Sequence, residues 1–147
     1  MGNNPVITAV TDIDAPPRDV WQVLTDFAAY GDWHPALRFI DVPAEILPGT
    51  RLQAQVTLGT QNDGVYEFTV VEYKALEHLA WTGGIPDVLM GLHSFFIELN
   101  DGKTHFTESE EFTGAAAVET VEPARAQMEA GSASYVRALK KRVESSY

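Results

Sequence analysis

The cleanest alternation of apolar and polar positions runs over Arg51–Leu58. Leu52, Ala54, Val56 and Leu58 fall on one face, and Arg51, Gln53, Gln55 and Thr57 on the other. That is the pattern of an antiparallel strand buried on one side. Val6–Ile13 reads as the first strand. Further extended segments fall around Arg38–Val42, Val65–Tyr73, His78–Trp81, Leu89–Leu99 and Thr104–Thr113. Pro48-Gly49, Asn62-Asp63-Gly64, Gly83-Gly84-Ile85-Pro86 and Asn100-Asp101-Gly102 punctuate them as turns.

Two regions change to helical spacing. Val20, Trp21, Leu24 and Phe27 line one apolar face shortly after the first strand. Pro16 and Pro17 lack a backbone N–H, which suits a first helical turn, and Asp14 is placed to cap it. Pro35 drives His34 toward extended backbone, so this helical part ends there. The second helix spans roughly Val118 to Ser145, with Val121, Ala124, Met128, Gly131, Tyr135, Leu139 and Val143 three or four apart. Acidic residues open it and basic ones close it, as the helix dipole prefers. Pro123 fits a first turn and places the regular start nearer Glu122. Five small residues, Ala130 to Ser134, occupy its middle. They either leave space between helix and sheet or allow a tight contact or mild kink there.

Ala15-Pro16-Pro17, Val20-Trp21, Leu24-Thr25-Asp26-Phe27 and the corner Trp33-His34-Pro35 together resemble the START-like superfamily called SRPBCC, in its small polyketide-cyclase-like branch. Leu79-Ala80-Trp81, Gly91-Leu92-His93-Ser94-Phe95 and Glu110-Glu111-Phe112-Thr113-Gly114 extend the likeness along nearly the whole chain. The resemblance implies an α+β helix-grip fold. In it, a curved antiparallel sheet wraps a long C-terminal helix, two short helices follow the first strand, and a cavity lies between sheet and helix. It does not select a function, because this fold hosts lipid carriers, cyclases, hormone receptors and co-chaperones.

At 147 residues, 45% hydrophobic and 21% charged, the chain has the size and composition of a single domain, 1–147, with a full core. It has no apolar run of spanning length and no signal-peptide pattern at Met1–Pro5, and Val6 breaks the myristoylation motif that Gly2 would start. The expectation is a cytoplasmic protein without membrane insertion. The absence of cysteine excludes disulfides and thiol chemistry. A net charge of −11 argues against nucleic acid and anionic membranes as partners. The basic cluster Arg137, Lys140, Lys141 and Arg142 is accounted for by the helix end.

The richest chemistry lies on the last two extended segments. Asp101-Gly102 is a two-residue hairpin turn that pairs Asn100 with Lys103. Counting back, His93 faces Glu110, Phe95 faces Glu108, Ile97 faces Phe106 and Gly91 faces Phe112. One face then carries His93, Phe95, Ile97, Leu99, Phe106, Glu108, Glu110 and Phe112, and its apolar bias points it inward. A bulged three-residue turn would instead pair His93 with Ser109 and scatter the phenylalanines. In the first register, one histidine and two carboxylates share a greasy wall. Neighbouring carboxylates with little water raise at least one glutamate pKa, and a protonated His93 opposes that. His93 and Glu110 are candidates for acid/base catalysis at an enolisable carbonyl, or a polar pair that satisfies itself and orients a ligand.

Trp81 is expected in the core or lining the cavity, and Trp33 near its mouth. His34 is expected at the surface or bonded to backbone. Gly83–Met90 reads either as a greasy lid or as an ordinary hairpin connection. No phosphate cradle, dinucleotide fingerprint, metal-ligand spacing or serine-nucleophile elbow occurs, so no cofactor or metal is expected. Three readings follow. The first is binding of a small hydrophobic molecule by Trp33, Trp81, His93, Phe95, Phe106, Glu108, Glu110, Phe112, Met128 and Tyr135. The second is a cofactor-independent cyclase/aromatase or dehydratase. The third is a co-chaperone-like interaction module, for which no clear exposed apolar stretch is evident.

Overall fold

A computed structural model describes residues 4–145. Gly2 and the start of the Met1–Pro5 segment lie outside the described residues. Seven strands, β1 (Val6–Ile13), β2 (Leu37–Ile40), β3 (Arg51–Val56), β4 (Gly64–Lys74), β5 (His78–Ile85), β6 (Leu89–Asn100) and β7 (Lys103–Thr113), form one antiparallel sheet. Its order is β1-β7-β6-β5-β4-β3-β2, so the first strand closes onto the last. Helices α1 (Pro17–Thr25) and α2 (Tyr30–Trp33), joined by a 3-10 turn, separate β1 from β2, and α3 (Ala117–Glu144) packs back on β1, β7 and α1. This is the α+β helix-grip arrangement.

The β6–β7 hairpin has the two-residue register. Asn100 pairs with Lys103, His93 with Glu110 and Gly91 with Phe112. Asp101 (φ 51°) and Gly102 (φ 79°) both hold positive φ, as a type I′ turn requires. The inward face follows as expected except at its end, where Leu99 is 70% exposed. Leu58 likewise falls past the end of β3 and is exposed, while Leu52 and Ala54 are buried. A bulge between Val70 and Glu72 bends β4 and helps curl the sheet.

Several local expectations change. Asp14 does not cap α1. Pro16 is the N-cap residue, Pro17 the first helical residue, and the Asp14 N–H donates to Glu144 Oε2 at 2.8 Å, tying β1 to the end of α3. α3 starts at Ala117 and runs through Pro123, so the proline sits inside the helix rather than near its start. The small-residue stretch does not face the sheet as a block. Ala130, Gly131 and Ser134 are exposed, and a side chain added at Gly131 would meet nothing within 4 Å. Ser132 is buried and Ala133 half-buried.

Gly83, Gly84 and Ile85 are not a mobile lid. They are the end of β5, paired with Gly91, Met90 and Leu89. Gly84 has φ 129°, and a Cβ there would lie 2.2 Å from the Leu89 carbonyl oxygen, so the position demands glycine. The following turn is pinned by Ala115 and Ala116 N–H groups, which donate to the Asp87 and Val88 carbonyls. The plain hairpin connection is what the backbone builds.

Candidate functional site

The interior is a continuous set of rings. Phe27, Tyr30, Trp81, Phe95, Phe106 and Tyr135 are buried in the main core, with Trp33 and Phe39 packed partly buried against it. The ring of Tyr135 on α3 lies 5.5 Å from Phe95 and 5.5 Å from Trp33, centre to centre. A second, smaller cluster joins Phe112 to Ile7, Ala117 and Val121, with Leu89 and Met128 against it. The ten residues singled out from the sequence therefore divide. Trp33, Trp81, Phe95, Phe106 and Tyr135 belong to one core, and Phe112 and Met128 to the other.

His93, Glu108 and Glu110 come together on the inner face of β6 and β7. Strand pairing sets one row, Trp81–His93–Glu110–Ile7, and the next, Leu79–Phe95–Glu108–Ala9. His93 thus has Glu110 directly beside it and Glu108 on the diagonal. Its Nε2 lies 3.2 Å from Glu110 Oε1 and 3.5 Å from Glu108 Oε1. The Glu108 side chain is 4% exposed, whereas His93 and Glu110 keep 27% and 24%. The group is sealed at one end and open at the other. Trp81 covers the imidazole edge-on at 5.8 Å, and Phe95 stacks on it at 5.7 Å.

Burial alone would push the His93 pKa down. The charge of Glu110 and hydrogen bonding and charge from both glutamates outweigh it and raise the pKa to about 10. His93 is therefore an imidazolium at neutral pH, a donor rather than a base. Ser132 Oγ donates to Glu108 Oε1 at 3.1 Å, while Glu108 Oε2 is buried with no partner. Tyr30 donates to the Leu24 carbonyl at 2.6 Å, which makes Tyr135 the donor in their 3.0 Å contact. Burial raises both phenol pKa values.

Three participants escaped the sequence reading. Ser132 stood out only as one of several small residues. Tyr30 gave no periodic signal beyond the first helix. Gly91 gives the Glu110 carboxylate its place: a Cβ on Gly91 would lie 2.8 Å from Glu110 Oε2. His34 is half-buried rather than at the surface, with its ring edge-on to Tyr135 at 5.1 Å, and burial lowers its pKa. His105 points away from the site, as its strand position predicts, and pairs with Asp12 at 2.8 Å. Among the described residues no group of His, Asp and Glu side chains is arranged to hold a metal ion, and no helix is long and apolar enough to cross a membrane.

A cleft of about 300 Å³ opens between α1 and the end of α3, lined by Asp19, Gln22, Asp26 and Trp33 among others. It lies apart from His93, and its charged walls are Asp19, Asp26 and Arg142. The chemistry points to the His93 group instead.

Comparison with solved structures returns the same fold many times. The START superfamily protein from Mycobacterium smegmatis superposes with TM-score 0.73 at 17% identity, covering 99% of this chain and 100% of that one. The ZhuI aromatase/cyclase from a Streptomyces species gives 0.74 at 17% identity, over 97% and 94%. A protein from Arthrobacter aurescens gives 0.76 at 16% identity, over 95% and 86%. Among curated proteins, none matches the sequence significantly. The family described as polyketide cyclase / dehydrase and lipid transport matches residues 5–144, nearly the whole chain, and the protein belongs to it.

Proposed function

We propose that this chain binds a small hydrophobic molecule, such as a lipid, polyketide or aromatic metabolite, between the sheet and α3. The observation that carries the reading is a polar trio, His93, Glu108 and Glu110, set in a wall of aromatic and aliphatic side chains and still open to solvent on one side. Binding sites for small molecules have this make-up: mostly apolar, with a few placed polar groups. The ligand's apolar body would lie against Trp81, Phe95, Phe112, Met128 and Tyr135, and its polar group would meet the trio. Family membership supports a ligand of this class. The test is native mass spectrometry of protein purified from its own host, followed by organic extraction. A co-purifying apolar molecule is expected. An empty protein that also takes up no apolar probe would end the reading.

A second reading has one observation in its favour, the 3.2 Å contact of His93 with Glu110. In a cyclase or dehydratase, His93 would donate to a carbonyl oxygen while Glu110 takes a proton from the adjacent carbon. An aromatase/cyclase shares this fold. The two readings separate by mutation. Under binding alone, His93→Ala and Glu110→Gln shift affinity modestly. Under catalysis they remove turnover and leave affinity largely intact.

A further inference from the structure

Glu108 uses only half of its carboxylate. Oε1 accepts from Ser132 Oγ at 3.1 Å and faces His93 Nε2 at 3.5 Å. Oε2 is buried without a partner in a residue that is only 3% exposed. The nearby phenols have no hydrogen to offer it, since Tyr30 gives its own to Leu24 and Tyr135 gives its own to Tyr30. A buried carboxylate oxygen without a donor is destabilising, which makes it a poor choice for a purely structural wall. The surroundings add a second constraint. Two carboxyl groups face one imidazole, and Glu108 is the only fully buried carboxylic acid among the described residues. Buried lysine or arginine is absent from the described core, and the His93 imidazolium already faces both glutamates, so an anionic head group has no unpaired cation to meet.

Resting on the binding reading above, we infer that the ligand is an uncharged ring skeleton bearing a hydroxyl, whose hydrogen is received by Glu108 Oε2, and that free carboxylic acids are excluded. Trp81, Phe95 and Tyr135 are buried and packed on one another, so such a skeleton would enter by parting these rings and take their place as stacking partner. The carboxylate acts as a selector: it rewards a donor and repels an anion of the same shape.

Naphthalene, 2-naphthol and 2-naphthoate share one skeleton and differ only in the group that matters. Calorimetric titration of the intact protein with each at neutral pH is the test. Binding of 2-naphthol about tenfold or more tighter than either of the others is expected, the size of one charge-assisted hydrogen bond. Glu108→Gln replaces one oxygen by a donor amide and is expected to remove that preference and improve naphthoate relative to naphthol. Equal binding of naphthalene and 2-naphthol, or naphthoate binding best to the unaltered protein, would overturn the inference and leave the binding reading standing. No uptake of any of the three would overturn both. The ranking on the unaltered protein decides the matter even where Glu108→Gln does not fold.

Discussion

Two carboxylates converging on one imidazole make His93 the residue whose proton matters most. Unfolded, the ring titrates near 6.5; in the folded protein it holds its proton to about 10. Between those values the native state binds one proton more than the unfolded chain, so stability falls as pH rises, by about 1.4 kcal/mol per unit at most. The contribution is complete below about pH 6.5 and lost above about pH 10. Urea unfolding across this window is expected to show the decline, and His93→Gln to flatten it. An equal slope in both proteins would place the proton elsewhere. Gly91 offers a subtler probe. Gly91→Ala puts a methyl 2.8 Å from the present position of Glu110 Oε2. The flexible carboxylate must swing away, and His93 then loses the neighbour whose charge does most to raise its pKa. An NMR titration of the His93 ring is expected to show a lower pKa in a protein that still folds; an unmoved pKa would mean Glu110 is not what holds the proton.

At the scale of elements, the β6–β7 hairpin was the most legible part of the chain, and with it the core of the candidate site. An Asp-Gly pair demands a two-residue turn, and the turn fixes which residues oppose each other for eleven positions. His93, Glu108 and Glu110 follow from counting. What escaped needed contacts between distant segments. Ser132 reaches Glu108 from α3 across 24 residues, and Tyr135 meets Tyr30 across 105. No local period encodes either pairing. The middle of α3 misled for a related reason. A glycine within a helix invites a packing explanation, yet Gly131 faces solvent. It carries no contact that a methyl would disturb, so Gly131→Ala is expected to stabilise the protein by roughly 0.5–1 kcal/mol, by thermal or urea unfolding. Destabilisation would mean that the position is packed after all.

At the scale of the whole molecule, Tyr135 joins the parts that the strands do not. It reaches from α3 to Tyr30 and Trp33 on the α1–α2 side and to Phe95 on the sheet. The sheet is continuous through backbone hydrogen bonds, but α3 holds to its concave side through side chains. Two components of the Tyr135 contribution can be separated. Tyr135→Phe keeps the ring and removes only the hydrogen bond to Tyr30, whose own hydrogen stays on the Leu24 carbonyl. A loss of about 1 kcal/mol is expected. Tyr135→Ala removes the ring as well and leaves a void among Tyr30, Trp33 and Phe95, with an expected loss of about 3–5 kcal/mol. The pair of unfolding free energies measures whether the helix is gripped by packing or by the phenol pair. Equal losses in both variants would assign the grip to the hydrogen bond and remove aromatic packing as the main link between α3 and the sheet. A large gap would assign it to the rings that line the candidate site. The void left by Tyr135→Ala would then enlarge the space beside Phe95, and stronger uptake of naphthalene by the variant than by the unaltered protein is the accompanying expectation.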